Sequence, residues 1–452
     1  MWKWTSLLLT VVACGFPRPA DVIACTPGEF AECRGDTALT CNSAGADYDA
    51  VQCARGCDPA IGCRLCDANQ TVCINGKVQS CDATGTVTSS ETCPLGCFED
   101  QPRCREIDPS NGLGKYLDMV PNPPDLDLLN VTFNTRTGDI KDGTASIAVP
   151  SFEAESAGIL LRVFIANSVH LSAASVQGDP GATGPGFALV ARGDITVTGK
   201  IIVSPGAGGV ALPGCSGGFG GVVEGQDPGG GSGATFASGG GGGGHAASGG
   251  DGGAIVGLAS PGSGGTPSGT ASLEPLRGGC AGGFANDVNS IPSDPYGASG
   301  GGAIQLSSRT RIEIDDIING RGRDGDFENL QQSDNTGAII TSGGGAGGGI
   351  LLEAPRVVLG PSAQLLVGGG HGGSACDPPT PPCAAGGAGS TSTAPAAAGG
   401  SLPGNASSGY VTAGGGGGGP GRIRINTPDG TYTKSNTSIE EGSLSTGILK
   451  TR

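Results

Sequence analysis

Twelve of the chain's seventeen cysteines crowd between positions 25 and 104, and their spacing repeats. Cys25, Cys33, Cys41, Cys53, Cys57 and Cys63 form one set; Cys66, Cys73, Cys81, Cys93, Cys97 and Cys104 form a second, 40 or 41 residues downstream member for member. The intervening gaps are 7, 7, 11, 3, 5 and then 6, 7, 11, 3, 6, a tandem duplication. Thiols in such a pattern do one of two things: they oxidise in pairs or they hold zinc. Cys63-Arg64-Leu65-Cys66 has a metal-like spacing, but it straddles the junction of the two modules, and residues 1–104 hold no histidine. Disulfides are the expectation, three per module, each contributing ~2–4 kcal/mol to a unit of 40 residues too small to bury a sufficient core. Six cysteines allow fifteen pairings, and spacing alone does not choose among them.

Four of the other five cysteines also suggest pairs. Cys376 and Cys383 bracket a proline-rich loop, and Cys215 and Cys280 share the contexts GCSGGF and GCAGGF. That leaves Cys14. It follows a basic start (MWKW) and an apolar run, in Val11-Val12-Ala13-Cys14. VVAC resembles the lipobox of bacterial lipoproteins, and the resemblance implies cleavage before Cys14 and acylation of its sulfur and amine. Two alternatives stand beside it: cleavage after Ala24 with plain secretion, and lipidation at Cys25 in VIAC, which would take Cys25 from its module.

Other chemistry is sparse. His170, His245 and His371 lie far apart, with no zinc-protease, nucleophile-elbow or phosphate-loop motif. No catalytic constellation stands out and no cofactor is implied. Asp324, Asp326 and Glu328, in GRGRDGDFE, echo a calcium-binding repeat in a single copy and make a weak oxygen-ligand candidate. Arg192-Gly193-Asp194 spells an adhesive tripeptide, but these are also ordinary corner residues. A formal charge of −16 argues against nucleic acid as partner.

The elements that carry these residues are strands. With 89 glycines, 31 prolines and 4% aromatics, a large conventional core is excluded. Segments 159–175, 187–203, 303–319 and 350–367 nevertheless share a layout: an apolar strand, a corner, an alternating strand, a corner and a third short strand, soon followed by glycine-rich sequence. A shortened copy begins at 422. This predicts a mainly β chain with a right-handed parallel β-helix or solenoid-like body, long Gly-rich loops and two disulfide-rich modules before it. An irregular β-sandwich is the alternative fold. The glycine runs are either floppy insertions or extended polyglycine helices packed side by side, a texture that resembles the glycine-rich domains of certain phage tail-fibre adhesins.

The expected organisation is a signal peptide at 1–13, a lipidated tether at 14–24, modules at 25–63 and 64–104, a linker at 105–130, the β-solenoid body at 131–430 and a tail at 431–452. With its VVAC, paired six-cysteine modules, and the ALVARGDITVTGKI and GGGILLEAPRVVLG segments, the chain resembles glycine-rich, Cys-repeat surface lipoproteins of myxobacteria and related bacteria. The resemblance implies export and attachment at the cell envelope, on the outer-membrane surface, through the N-terminal lipid. The expected role is non-catalytic: structural, adhesive or glycan-binding, with extracellular polysaccharide or another cell surface as partner. A β-helix polysaccharide lyase or hydrolase is the alternative.

Overall fold

The computed structural model describes residues 25–64, 66–177, 185–203, 230–232, 238–254, 260–283, 297–330, 338–375, 384–401 and 413–452. They form two compact units, divided between Arg105 and Glu106.

In the first unit each module is a three-stranded antiparallel sheet, Phe30–Arg34, Thr37–Cys41 and Tyr48–Gln52 in one, Thr71–Ile74, Lys77–Cys81 and Val87–Thr92 in the other. The disulfides are Cys25–Cys41, Cys33–Cys57 and Cys53–Cys63, then Cys66–Cys81, Cys73–Cys97 and Cys93–Cys104. Both modules therefore use one connectivity, first to third, second to fifth and fourth to sixth. Cys63 and Cys66 face different partners, which removes the zinc reading of that C-x-x-C. The hairpin turns fall where the sequence supplies residues that accept positive φ: Gly35 in one module, Asn75 and Gly76 in the other.

The second unit is built on three largely parallel sheets of seven, six and eight strands. The chain visits them in a fixed rotation. Ile159–Ala166 lies in the seven-stranded sheet, Val169–Leu171 in the six-stranded and Ala174–Gln177 in the eight-stranded. Gly186–Ala191, Ile195–Val197 and Ile201–Val203 repeat the circuit. So do Ala303–Ser308, Arg311–Ile314 and Ile317–Asn319, and then Gly349–Glu353, Arg356–Leu359 and Gln364–Leu366. Each strand pairs in parallel with its counterpart one circuit on, as Leu189 does with Leu306 and Leu306 with Leu352. Alternation sends every second side chain inward. Phe133, Phe164 and Phe187 fill the first circuits, with ring centroids 4.9–5.6 Å apart, and stacked Ile, Leu and Val fill the rest.

Two expected boundaries are corrected. The stretch expected as a linker, 105–130, belongs to the body from Glu106 onward: it holds the helix Gly114–Met119, and Leu126–Leu128 is a strand of the six-stranded sheet. The expected tail, 431–452, holds Thr433–Lys434, Ile439–Glu441 and Ser443–Ile448, which complete a further circuit and start another. A six-residue helix is too short to display a 3.6-residue period, strands of two or three residues are too short to show alternation, and the six-residue SLSTGI has only two large apolar residues, so neither stretch announces itself.

These segments explain why the seven-stranded sheet reads as unbroken apolar runs such as ILLRVFIA: it is covered on both faces. Leu113, Tyr116 and Leu117 pack on Leu161, Val163 and Ile165, the outward residues of the sheet. Beside them sits a fully buried carboxylate. Glu353 Oε2 accepts from the Ser110 N–H (3.0 Å), the Gln305 amide (2.8 Å) and the Ser307 hydroxyl (3.0 Å), and Oε1 accepts from the Asn426 amide (2.9 Å). Burying such a group is tolerable only with its lone pairs satisfied, and here the hydrogen bonds tie segment 106–113 to three neighbouring strands.

Candidate functional site: a polyglycine lattice and two histidines

The long glycine-rich insertions, 204–302, 320–348 and 367–421, all leave from the eight-stranded sheet and return to the seven-stranded sheet. They therefore emerge at one corner of successive circuits and lie side by side. Their described glycines form an ordered lattice held by backbone hydrogen bonds. Gly240 and Gly243 donate to the carbonyls of Thr341 and Gly344 (3.0 and 2.9 Å). Gly344 and Gly347 donate to Gly416 and Gly419 (2.8 and 2.9 Å), and Gly416 and Gly419 donate back to Gly240 and Gly243 (both 2.8 Å). Three segments, one from each insertion, thus close a ring of hydrogen bonds. Donors three residues apart meet the same neighbour, the signature of an extended helix with three residues per turn. Of the two readings of the glycine runs, packed polyglycine helices are the one realised among the described residues.

Glycine is required by distance. A Cβ on Gly242 would lie 1.8 Å from the Gly417 carbonyl oxygen, and one on Gly416 would lie 1.9 Å from that of Gly250, where real Cβ contacts do not fall below 3.0 Å. The lattice is dry: Gly240 through Gly244 are buried, as are Gly343, Gly344 and Gly345.

His245 stands inside this lattice with no exposed surface. Its Nδ1 donates to the Gly347 carbonyl at 2.8 Å, and its Nε2 has no hydrogen-bond partner among the described residues. Its own carbonyl accepts from the Arg422 guanidinium (3.2 Å) at the foot of the strand Arg422–Thr427. Burial, with the positive charges of Arg422 and Arg277 adding to it, pushes the His245 pKa down to about 4.

His170 lies on the outer face of the six-stranded sheet and bridges three circuits. Its Nδ1 is 2.9 Å from Asp127 Oδ1, and its Nε2 is 2.8 Å from Thr198 Oγ1. Register makes the first contact: Asp127 and His170 are directly paired on adjacent parallel strands. Their separation of 43 positions hides the pair from a motif search; only the repeat alignment of the circuits could have revealed it. The face is open, with the His170 and Asp127 side chains 43% and 86% exposed.

The other sequence-derived residues fall as follows. Asp324 Oδ1 accepts from the His371 N–H (2.7 Å), and the Asp326 carbonyl accepts from the Ser342 N–H (3.0 Å). Their segment is a lattice strand: Gly322 and Gly325, three apart, donate to Gly368 and His371. The side chain of Glu328 lies outside the described residues, and no cluster of three potential metal ligands occurs among those described. Cys280 is disulfide-bonded; Cys14, Cys215, Cys376 and Cys383 lie outside the described residues.

The Arg192-Gly193-Asp194 tripeptide is committed internally. The Arg192 guanidinium donates to the carbonyls of Leu117, Val120 and Pro121 (2.7–2.9 Å), closing the C-terminal end of the helix, and Asp194 accepts from the Thr310 hydroxyl at 2.5 Å.

The six disulfides between described cysteines mark a chain that matures in an oxidising compartment, as exported proteins do. No helix among the described residues is long and apolar enough to cross a membrane. Comparison with protein-family models, with curated proteins and with solved structures returns no match.

Proposed function

We propose that this is an exported, non-catalytic surface protein, held at the bacterial cell envelope by lipid on Cys14, whose body binds extracellular polysaccharide or another cell surface. In this reading the three-sheet circuits wind as a right-handed parallel β-helix, and the glycine lattice is a rigid mount at its corner. The observation that carries it is the hydrogen-bond ring among Gly240–Gly243, Thr341–Gly344 and Gly416–Gly419. A protein that orders segments of three insertions against each other, at the entropic cost glycine brings, is building a stiff display element. The sequence that joins lattice segments, such as NDVNSIPSDPY and LPGNASSGYV, carries the polar and aromatic side chains that the lattice itself lacks. The acidic balance keeps such a protein soluble and off anionic surfaces.

The test is direct. Native full-length protein, with its termini read by intact mass, is passed over arrays of cell-wall and capsular polysaccharides. Acylation at Cys14 and retention on a defined glycan class support the proposal. A first residue other than Cys14, or absence of binding to every glycan and to whole cells, refutes the corresponding half.

One observation favours a second reading, hydrolysis of acyl esters on a polysaccharide. His170 Nε2 stands where it could take the Thr198 hydroxyl proton, with Asp127 orienting the ring. It ranks second because the three side chains lie on an open face, where water competes with every charge they would stabilise. Release of acetate from an acetylated polysaccharide, abolished by Thr198→Val and by His170→Gln, would reverse the ranking.

A further inference from the structure

The two ends of the stacked circuits are finished differently. At the first, antiparallel strands close two of the three edges: Ile140–Asp142 and Ala145–Ile147 extend the eight-stranded sheet and Ser151–Ser156 the seven-stranded one, while the parallel strand Leu126–Leu128 is outermost in the six-stranded sheet. At the last, the parallel strands Thr433–Lys434, Ile439–Glu441 and Ser443–Ile448 are the outermost members of their sheets. Apart from residues 450–452, which pair with 106–108, such an end offers unpaired backbone and an interior cross-section, a template on which another chain can stack.

The inward lanes show what has been done about it. In the six-stranded sheet one lane runs Leu128, Leu171, Val197, Ile314, Leu359, and its next member is Lys434. In the eight-stranded sheet the lane runs Val131, Ala174, Ile201, Ile318, Leu365, and then Glu440. In the seven-stranded sheet Leu189, Leu306, Leu352 and Ile425 are followed by Thr446. These three aliphatic lanes turn polar in the terminal strands, while the neighbouring lane of the seven-stranded sheet, Phe187, Ile304, Ile350 and Ile423, ends on Leu444. Lys434 Nζ lies 3.1 Å from a Glu440 oxygen, the Tyr432 hydroxyl donates to the other at 3.1 Å, and Tyr432 packs on the interior core. Around this ionic pair Leu444, Ile439 and Ile448 remain 37%, 48% and 65% exposed.

We propose that Lys434, Glu440 and Thr446 form a charged plug that stops a second copy of this chain from stacking on the open end. Stacking would bury the Lys434–Glu440 pair between two interiors, and the desolvation would offset the gain from covering Leu444 and Ile448. Without the plug the aliphatic lanes run on to the surface, and two such ends are self-complementary about a twofold axis. Because antiparallel strands close two of the three sheets at the opposite end, the product is a closed dimer and not a fibre.

The experiment compares full-length native protein with Lys434→Leu/Glu440→Leu/Thr446→Ile by sedimentation velocity over a concentration series. The native chain is expected to sediment at the mass of one chain. The triple variant is expected to dimerise, at least ~tenfold more tightly than the native chain, and adding Leu444→Lys is expected to restore the single-chain mass. A folded triple variant that stays a single chain throughout overturns the proposal, as does a native dimer whose hydrogen exchange protects residues 443–448. If the triple variant loses its far-UV circular dichroism, the neutral pair Lys434→Met/Glu440→Gln is read against the same two outcomes.

Discussion

His245 and Gly347, 102 positions apart in sequence, are joined by a 2.8 Å hydrogen bond inside a lattice that otherwise has almost no side chains. Nδ1 must carry a proton to donate, and with burial holding the pKa down at about 4 the ring is neutral near pH 7, its bare Nε2 buried. Charging it would place a cation near Arg422 and Arg277 with no acceptor at Nε2. The folded-state pKa is about 4 against 6.5 for a free histidine, so between these values the unfolded chain binds the extra proton. Stability is therefore full above about pH 6.5, falls as pH drops from 6.5 through about 4, and changes little from this group below that. The total is roughly 3 kcal/mol, from ~1.4 kcal/mol per pH unit. Equilibrium unfolding measured from pH 7 to 3.5 should show that slope. His245→Asn, which keeps a donor near the Nδ1 position, should flatten it.

Single methyl groups should break the lattice. Gly242→Ala and Gly416→Ala each place a Cβ within 2 Å of a carbonyl oxygen of a neighbouring segment. A tightly packed site that must move to admit one carbon costs ~1–3 kcal/mol, and here the shift also stretches the hydrogen bonds of two adjoining strands. Thermal melting of each variant should show that loss, and hydrogen exchange should rise first in segments 239–245, 341–347 and 414–420.

Glu353 is expected to be worth more to the fold than any surface ion pair. Glu353→Ala strands the Ser110 N–H, the Gln305 and Asn426 amides and the Ser307 hydroxyl in a dry site. Each buried group left unsatisfied costs ~1–3 kcal/mol, so the loss should be several kcal/mol by denaturant titration. Limited proteolysis should then cut near residues 106–113 before it cuts the strands.

The shared disulfide connectivity predicts a specific peptide map. Non-reducing digestion should give Cys33–Cys57 and Cys73–Cys97 as equivalent links at equal separation, 24 residues each. Cys33→Ala/Cys57→Ala should destabilise the first module by ~2–4 kcal/mol and make it the first site of proteolysis, with Cys73–Cys97 left intact.

Much of this architecture is readable from residue types. The cysteine register locates both modules, and the four apolar triplets locate four circuits, because two-residue alternation and equal repeat length survive whatever lies between them. The pairing within each module was not readable, since it depends on how three short strands cross. The covering segment 106–120 and the closing strands are not legible because a six-residue helix and two- or three-residue strands outside the repeated layout carry too few apolar residues to show a period, and their identity comes from the sheet they pack on. Asp127, His170 and Thr198 meet only because parallel stacking aligns separate circuits. The glycine runs posed the opposite problem: their composition suits a loose tether as well as a lattice, and what separates the two is the recurrence of runs at one corner of successive circuits.

That recurrence has a consequence for how such a chain can change over time. Contacts made by main chain alone are blind to the identity of residues elsewhere, so the lattice accepts rewording of everything strung between its threads. What it cannot accept is a slip within a thread: losing one glycine rotates the remainder by a third of a turn and aims each N–H at the wrong neighbour. Length variation inside the runs should therefore come in steps of three residues, while the sequence connecting them drifts without such a rule.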